Sequence, residues 1–173
     1  MEKQQQMSVL SKRWVRGAGI AAWALVLGLS GPALADREAG QKAMAAGDYA
    51  TALAELKPLA EAGDAASQFD IGALYDNGLG VIADAVEAAR WYQRAARQGD
   101  QSAMFNLGVM HEDGIGVARD PVQAYVYFSL SVTQGPPYAA RNRDKVKASL
   151  TPDQLARGDE LVRSYKPVPE IKP

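Results

Sequence analysis

The stretch "DAASQFDIGALYDNGLGVIADAVEAARWYQRAARQG" (64–99) runs directly into "DQSAMFNLGVMHEDGIGVARDPVQAYVYFSLSVTQG" (100–135), and the two align without a gap. Identical residues fall at Asp64/Asp100, Phe69/Phe105, Gly72/Gly108, Gly78/Gly114, Gly80/Gly116, Val81/Val117, Asp84/Asp120, Val86/Val122, Ala88/Ala124, Gln98/Gln134 and Gly99/Gly135. Pairs such as Ile71/Leu107 and Tyr92/Phe128 are conservative at the same stride. Self-similarity at a fixed period marks an array in which each unit is one supersecondary element.

Each unit reads as two helices. Asp64 or Asp100 is placed to accept hydrogen bonds from the free amides that open the first. Phe69, Gly72 and Leu74-Tyr75, matched by Phe105, Gly108 and Met110, then recur at helical spacing. Gly78 or Gly114 ends that helix, because the residue after a helix often takes a left-handed conformation that glycine adopts freely. Asp84 caps the second helix with Glu87 three places on, the spacing of a capping box, and Asp120 with Gln123 repeats it. Pro121 stands at the first helical position, where its missing N–H costs nothing. Gly99 or Gly135 is expected to stop the second helix. Gly72 and Gly108 lie inside helices, which costs about 1 kcal/mol relative to alanine; close approach of the partner helix beside Ala88 or Ala124 is the expected compensation.

The paired glycines of "NGLGV" (77–81) and "DGIGV" (113–117) could also be read as a phosphate cradle. Such a loop lies between a strand and a helix and is followed by Lys-Ser/Thr or framed as G-x-G-x-x-G. Here the glycines follow a helix, no strand is predicted, and they recur with the repeat. They turn the chain.

The pattern carried by Ala66, Gln68, Ile71, Gly72, Tyr75, Gly78, Gly80, Val81, Asp84, Ala88, Trp91, Tyr92, Ala95, Ala96 and Gly99 resembles the Sel-one-like repeat (SLR), a relative of the tetratricopeptide (TPR) repeat. The second unit departs from it at His111, which replaces the tyrosine, and at Ala124-Tyr125-Val126-Tyr127, which lacks the tryptophan. The resemblance implies an all-α fold, an α/α superhelical solenoid of helix-turn-helix repeats used for binding proteins. The flanks then read as end units: a shortened repeat at 36–63, capping helices at 136–166 and a flexible tail at 167–173. One final helix is expected from Thr151-Pro152-Asp153-Gln154, and Tyr138 and Tyr165 are expected to dock these last helices.

The first 35 residues read as a signal segment. Lys3, Lys12, Arg13 and Arg16 precede the apolar run "AGIAAWALVLGLS" (18–30), and Ala33-Leu34-Ala35 fits a small-x-small cleavage site. That run falls short of the roughly twenty residues a membrane-spanning helix needs. A periplasmic or secreted protein cleaved after Ala35 is expected, with no membrane span after cleavage. The full chain has 19 Lys and Arg against 20 Asp and Glu; the leader holds four of the basic and one of the acidic residues, so the remainder carries about −4. An acidic chain lacks the basic patches that displace phosphate counterions, which argues against nucleic acid. There is no cysteine, so stability must come from packing, and the disulfide-tied, cysteine-rich exported relatives linked to β-lactam and cell-wall chemistry are a poor match.

Candidate chemistry is sparse. His111 is the single histidine and occupies the slot of Tyr75, a half-buried structural position. Its neighbours Glu112 and Asp113 point to other helix faces, so no metal site is expected. No nucleophile-elbow sequence occurs, and no cofactor is called for. Trp91, Tyr92, Tyr125 and Tyr127 could stack on sugars, but their repeat-locked spacing favours packing. If the first helix of each unit lines the concave face, as in TPR folds, that face presents Asp70, Ala73, Asp76 and Asn77, then Asn106, Val109, Glu112 and Asp113. Such a groove suits a protein or peptide partner with a basic segment, through charge-assisted hydrogen bonds. The expected function is therefore a non-catalytic interaction module or scaffold; the alternative is an envelope enzyme or ligand-binding protein acting on peptidoglycan or β-lactam-like amides. Two full repeats approach the minimum of about three units for a stable array, which makes dimerisation through an exposed end an open expectation.

Overall fold

The computed structural model describes residues 36–170; the leader at 1–35 lies outside them. Among the described residues there are eight helices and no strand: α1 (Arg37–Ala46), α2 (Tyr49–Glu61), α3 (Ala65–Asn77), α4 (Ala85–Arg97), α5 (Gln101–Asp113), α6 (Pro121–Ser131), α7 (Ala139–Lys147) and α8 (Pro152–Ser164). Each helix packs on the next from α1 to α7, and α8 returns onto α6. This is the contact pattern of a solenoid with a folded-back end.

The first six helices all open on an aspartate: Asp36, Asp48, Asp64, Asp84, Asp100 and Asp120 accept from their own first-turn amides. A carboxylate there satisfies orphan N–H groups and faces the positive end of the helix dipole. The expected reciprocal boxes do not form at Asp84 and Asp120. Each carboxylate bonds two amides, and Glu87 turns away to Arg90 at 3.1 Å. The reciprocal box occurs instead at Thr151 and Gln154.

Gly78 and Gly114 end α3 and α5 with φ of +66° and +73°. The second glycines, Gly80 and Gly116, serve a different purpose. A Cβ on Gly80 would lie 2.9 Å from the carbonyl carbon of Tyr49, and one on Gly116 would lie 2.2 Å from Ala85 O. Tyr49 and Ala85 are the first residues of α2 and α4, so the loop of each repeat rests against the start of the preceding second helix. Both glycines also have φ near +70°. The first glycine turns the chain and the second seats one repeat on the previous one. Gly135 is not part of this scheme: it lacks a positive φ, and α6 stops four residues earlier at Ser131.

The core forms three successive clusters. Ala43, Ala52, Leu56, Ala60, Ile71, Leu74 and Trp91 join α1 to α4. Tyr92, Ala95, Ala96, Ala103, Met104, Leu107 and Met110 join α4 to α5. Phe105, Tyr125, Phe128, Ala139 and Val146 join α5, α6 and α7. Gly72 and Gly108 do compensate their helix cost by close approach, but the neighbour is a ring rather than an alanine: a Cβ would lie 2.7 Å from Tyr92 and 2.6 Å from Phe128.

The described part of the tail, 167–170, differs from expectation; 171–173 lie outside the described residues. Residues 167–170 are pinned, with Val168 N–H donating to Arg97 O at 2.8 Å and the Glu170 carboxylate paired with Arg94 at 2.7 Å. The alternating prolines and high polarity of "KPVPE" suggest a loose end, yet an extended segment needs only main-chain and charged partners to be held, and α4 supplies both.

Candidate functional site

The first helices α1, α3 and α5 share a polar face. Asp70 of α3 lies in the field of Arg37 and beside the Gln41 amide, both on α1, and feels the negative charges of Asp64 and Asp100. Its Oδ2 is buried without a hydrogen-bond partner. Burial pushes this carboxyl above its ordinary range, the Arg37 charge and the Gln41 amide opposing. Asp76, six residues further along α3, is exposed and accepts the Tyr92 hydroxyl at 3.3 Å. Asn106 of α5 reaches the same phenol, whose ionisation is suppressed by burial and by Asp76. Asp76 and Asn106 are thus joined across two repeats by Tyr92, while Asp70 faces α1. Among the described residues neither Asp70 nor Asp76 takes part in an ion pair.

The other residues anticipated for this face are placed differently. Asn77 is exposed and donates back to Ala73 O at 2.9 Å. Ala73 is half-buried between them. Val109 packs against the third core cluster. Glu112 is held by Lys145 of α7 at 2.7 Å, and exposed Asp113 adds to the charge around that lysine. The acidic face is therefore open at Asp76, half-buried at Asp70 and closed by the C-terminal helices at Glu112.

His111 stacks on Tyr127 with centroids 5.6 Å apart and bonds Ala118 O through Nδ1 at 3.1 Å. It staples the loop after α5 to α6. No group of three or more His, Cys, Asp or Glu converges among the described residues. Trp91, Tyr92 and Tyr125 are buried, with Tyr125 donating to Asp159 of α8 at 2.6 Å. Tyr165 donates to Ala96 O at 2.7 Å, and Tyr138 meets Phe105 edge-on at 4.9 Å.

A second polar constellation, missed in the sequence, lies where α2, α3 and α4 meet. Arg94 donates to the α2 carbonyls of Ala60 (3.1 Å) and Glu61 (3.4 Å) and lies over the Trp91 ring at 4.6 Å. Buried Gln68 donates to Ala60 O at 3.0 Å. Gln98 donates to Gly63 O at 3.0 Å and to Gln68 Oε1 at 2.9 Å. Gln68 is part of the repeat pattern, but nothing local reveals that residues thirty and a hundred places away meet it.

This is a helical-repeat solenoid built from two tandem hairpins with end caps. The Sel1 repeat model matches residues 65–100 and 101–136. The fold is that of a crystal structure of a protective antigen present in uropathogenic Escherichia coli strains, which displays an SLR fold; it is 31% identical, with TM-score 0.69, over 73% of this chain and 28% of that one. A Sel1 repeat protein from Oxalobacter formigenes is 27% identical, with TM-score 0.62, over 76% of this chain and 56% of that one. The chain thus spans 28% and 56% of the lengths of these relatives. No curated protein matches it. The chain carries two Sel1 repeats and has the SLR fold. Sel1-repeat proteins are generally protein-interaction scaffolds, typically non-catalytic. No described helix is long and apolar enough to cross a membrane.

Proposed function

We propose that this chain is an exported, non-catalytic interaction module that captures a basic segment of a partner protein on the face formed by α1, α3 and α5. The observation that carries this reading is the pair Asp70 and Asp76. Both are acidic, both lie on that face, and among the described residues no cation of the chain forms an ion pair with either; Asp70 retains a carboxylate oxygen without any partner. A lysine or arginine from outside would pair with exposed Asp76 through charge-assisted hydrogen bonds, with half-buried Asp70 adding its field beside it. Stacked helices hold the carboxylates in place, which limits the entropy lost on association. Export rests on the leader, with the mature chain beginning at Asp36 in the periplasm or outside the cell.

The test is cross-linked capture from an envelope fraction with wild type and with Asp70→Lys/Asp76→Lys. The double reversal should lose the partner retained by wild type, and a dilute salt titration should weaken wild-type capture progressively. Equal recovery by both proteins would remove the proposal. N-terminal sequencing of the protein recovered from its native host should begin at Asp36.

A further inference from the structure

The segment 166–170 sits against the Arg94, Gln68 and Gln98 constellation in a manner that resembles a bound peptide. It is extended after α8, starting at Tyr165 with φ −61° and ψ 130°. Its main chain is read at alternate residues: Val168 N–H donates to Arg97 O at 2.8 Å, and Glu170 N–H donates to Gln98 Oε1 at 3.1 Å. In an extended chain alternate residues face the same side. The intervening positions, 167 and 169, are both proline and have no N–H to leave unpaired. Glu170 supplies the one charged contact. Its carboxylate accepts from Arg94 Nη2 at 2.7 Å and Nε at 3.2 Å, and from the Gln68 amide.

The receiving groups are held without the tail. Arg94 is fixed by Ala60 O, Glu61 O and the Trp91 ring, and Gln68 and Gln98 bond each other and the carbonyls of Ala60 and Gly63. Gly63 and Gly99 leave room for the chain: Cβ atoms there would stand 3.2 Å from Glu170 and 3.5 Å from Pro167. The tail buries little apolar surface in docking, since Val168 is 65% exposed. The second repeat has no such site, because Met104 and Leu130 stand where the first has Gln68 and Arg94.

We infer that this is a peptide-binding site for extended acidic segments with proline at alternate positions, and that residues 166–170 fill it in cis until a partner's segment displaces them. The receptor reads two backbone N–H groups and one carboxylate, which any chain of that form carries. The site shares no residue with the α1/α3/α5 face, so its failure would leave the capture proposal untouched.

The probe is a labelled peptide of sequence YKPVPE, residues 165–170, with YKPVPQ as its control, titrated into wild type, Glu170→Ala and Val168→Pro by fluorescence anisotropy. Each substitution loosens the tail: the first removes the carboxylate, the second the N–H given to Arg97 O. Both variants should bind YKPVPE at least tenfold more tightly than wild type, whose own tail competes at high effective concentration. They should also prefer YKPVPE to YKPVPQ at least tenfold. Thermal melts by circular dichroism show which variants are folded, and either folded variant decides the matter. Equal binding of the two peptides, or binding by a loosened variant no tighter than by wild type, would overturn the inference.

Discussion

The two repeats are the same hairpin in different surroundings. Asp64 and Asp100, Asp84 and Asp120, Gly78 and Gly114, and the glycines beneath Tyr92 and Phe128 do identical work at a fixed stride. Val86 and Val122 are also the same residue in the same register, yet Val86 is 51% exposed and Val122 6%. The cause is α8, which returns over α6: Gly158 of α8 lies against Tyr125 and Val122. Where α6 is covered, Val126 and Leu130 stand; where α4 meets water or the polar tail, the matching positions are Arg90 and Arg94. Identity between repeats defines the hairpin, and the differences record what packs on it.

The loop glycines give the hardest test of that equivalence. Gly80 and Gly116 share φ near +70°, so alanine at either pays roughly 1–2 kcal/mol for a left-handed backbone. Their clashes differ. At Gly116 the added Cβ would meet the carbonyl oxygen of Ala85 at 2.2 Å, while at Gly80 it meets Tyr49 Cβ at 2.8 Å and its carbonyl carbon at 2.9 Å. Gly116→Ala should cost more than about 3 kcal/mol and Gly80→Ala about 2 kcal/mol. Gly47→Ala, with φ +76° and open space around it, should show the conformational cost alone, about 1 kcal/mol. Urea unfolding of the three variants checks the order. Equal losses at all three would mean that the loops turn the chain without seating one repeat on the next.

A gentler comparison uses the matched valines. Val122→Ala removes two buried methyl groups from the α6–α8 contact and should cost about 2 kcal/mol. Val86→Ala should change stability by less than about 0.5 kcal/mol. Paired denaturation curves measure both. A loss at Val86 as large as at Val122 would point to a neighbour covering α4 as α8 covers α6.

Much of this was legible in the letters. The period, the caps and the glycine punctuation are local signals, each fixed by residues a few places apart, and they delivered helix order and most helix ends. The reciprocal box at Asp84 failed because spacing shows that Glu87 can reach back, and cannot show that Arg90 competes for it. The docked tail failed for a longer-range reason. Glu170 reads as a solvated charge until Arg94, 76 residues earlier, is brought beside it. The acidic face was anticipated as eight residues in one groove. Register alone put them on one side, but only the return of the C-terminal helices determines that Lys145 takes Glu112 while Asp76 stays exposed and Asp70 half-buried.

Asp70 and Asn106 are equivalent positions, which allows the smallest of these comparisons to be made by a single atom. Burial, the leading influence, raises the Asp70 carboxyl above its ordinary value of 3.8, against the lowering influences of Arg37 and Gln41. The folded chain therefore holds that proton more tightly than the unfolded chain does. Protonation favours folding, so the contribution of Asp70 is best below the unfolded value and declines as pH rises from there through the folded one. At neutral pH the carboxylate is a buried charge with one oxygen unpartnered. Asp70→Asn makes the first repeat resemble the second and removes that charge. It should raise the melting midpoint at pH 7 by about 3 °C, the scale of relieving one imperfectly satisfied polar group. The gain should shrink steadily as the melts are repeated at progressively lower pH, as wild type takes up its proton. The same substitution should weaken capture of a basic partner, because the charge that costs stability is the one offered to the ligand. A variant that is more stable at pH 7 and still captures the partner fully would separate the two roles and leave Asp76 to carry the recognition.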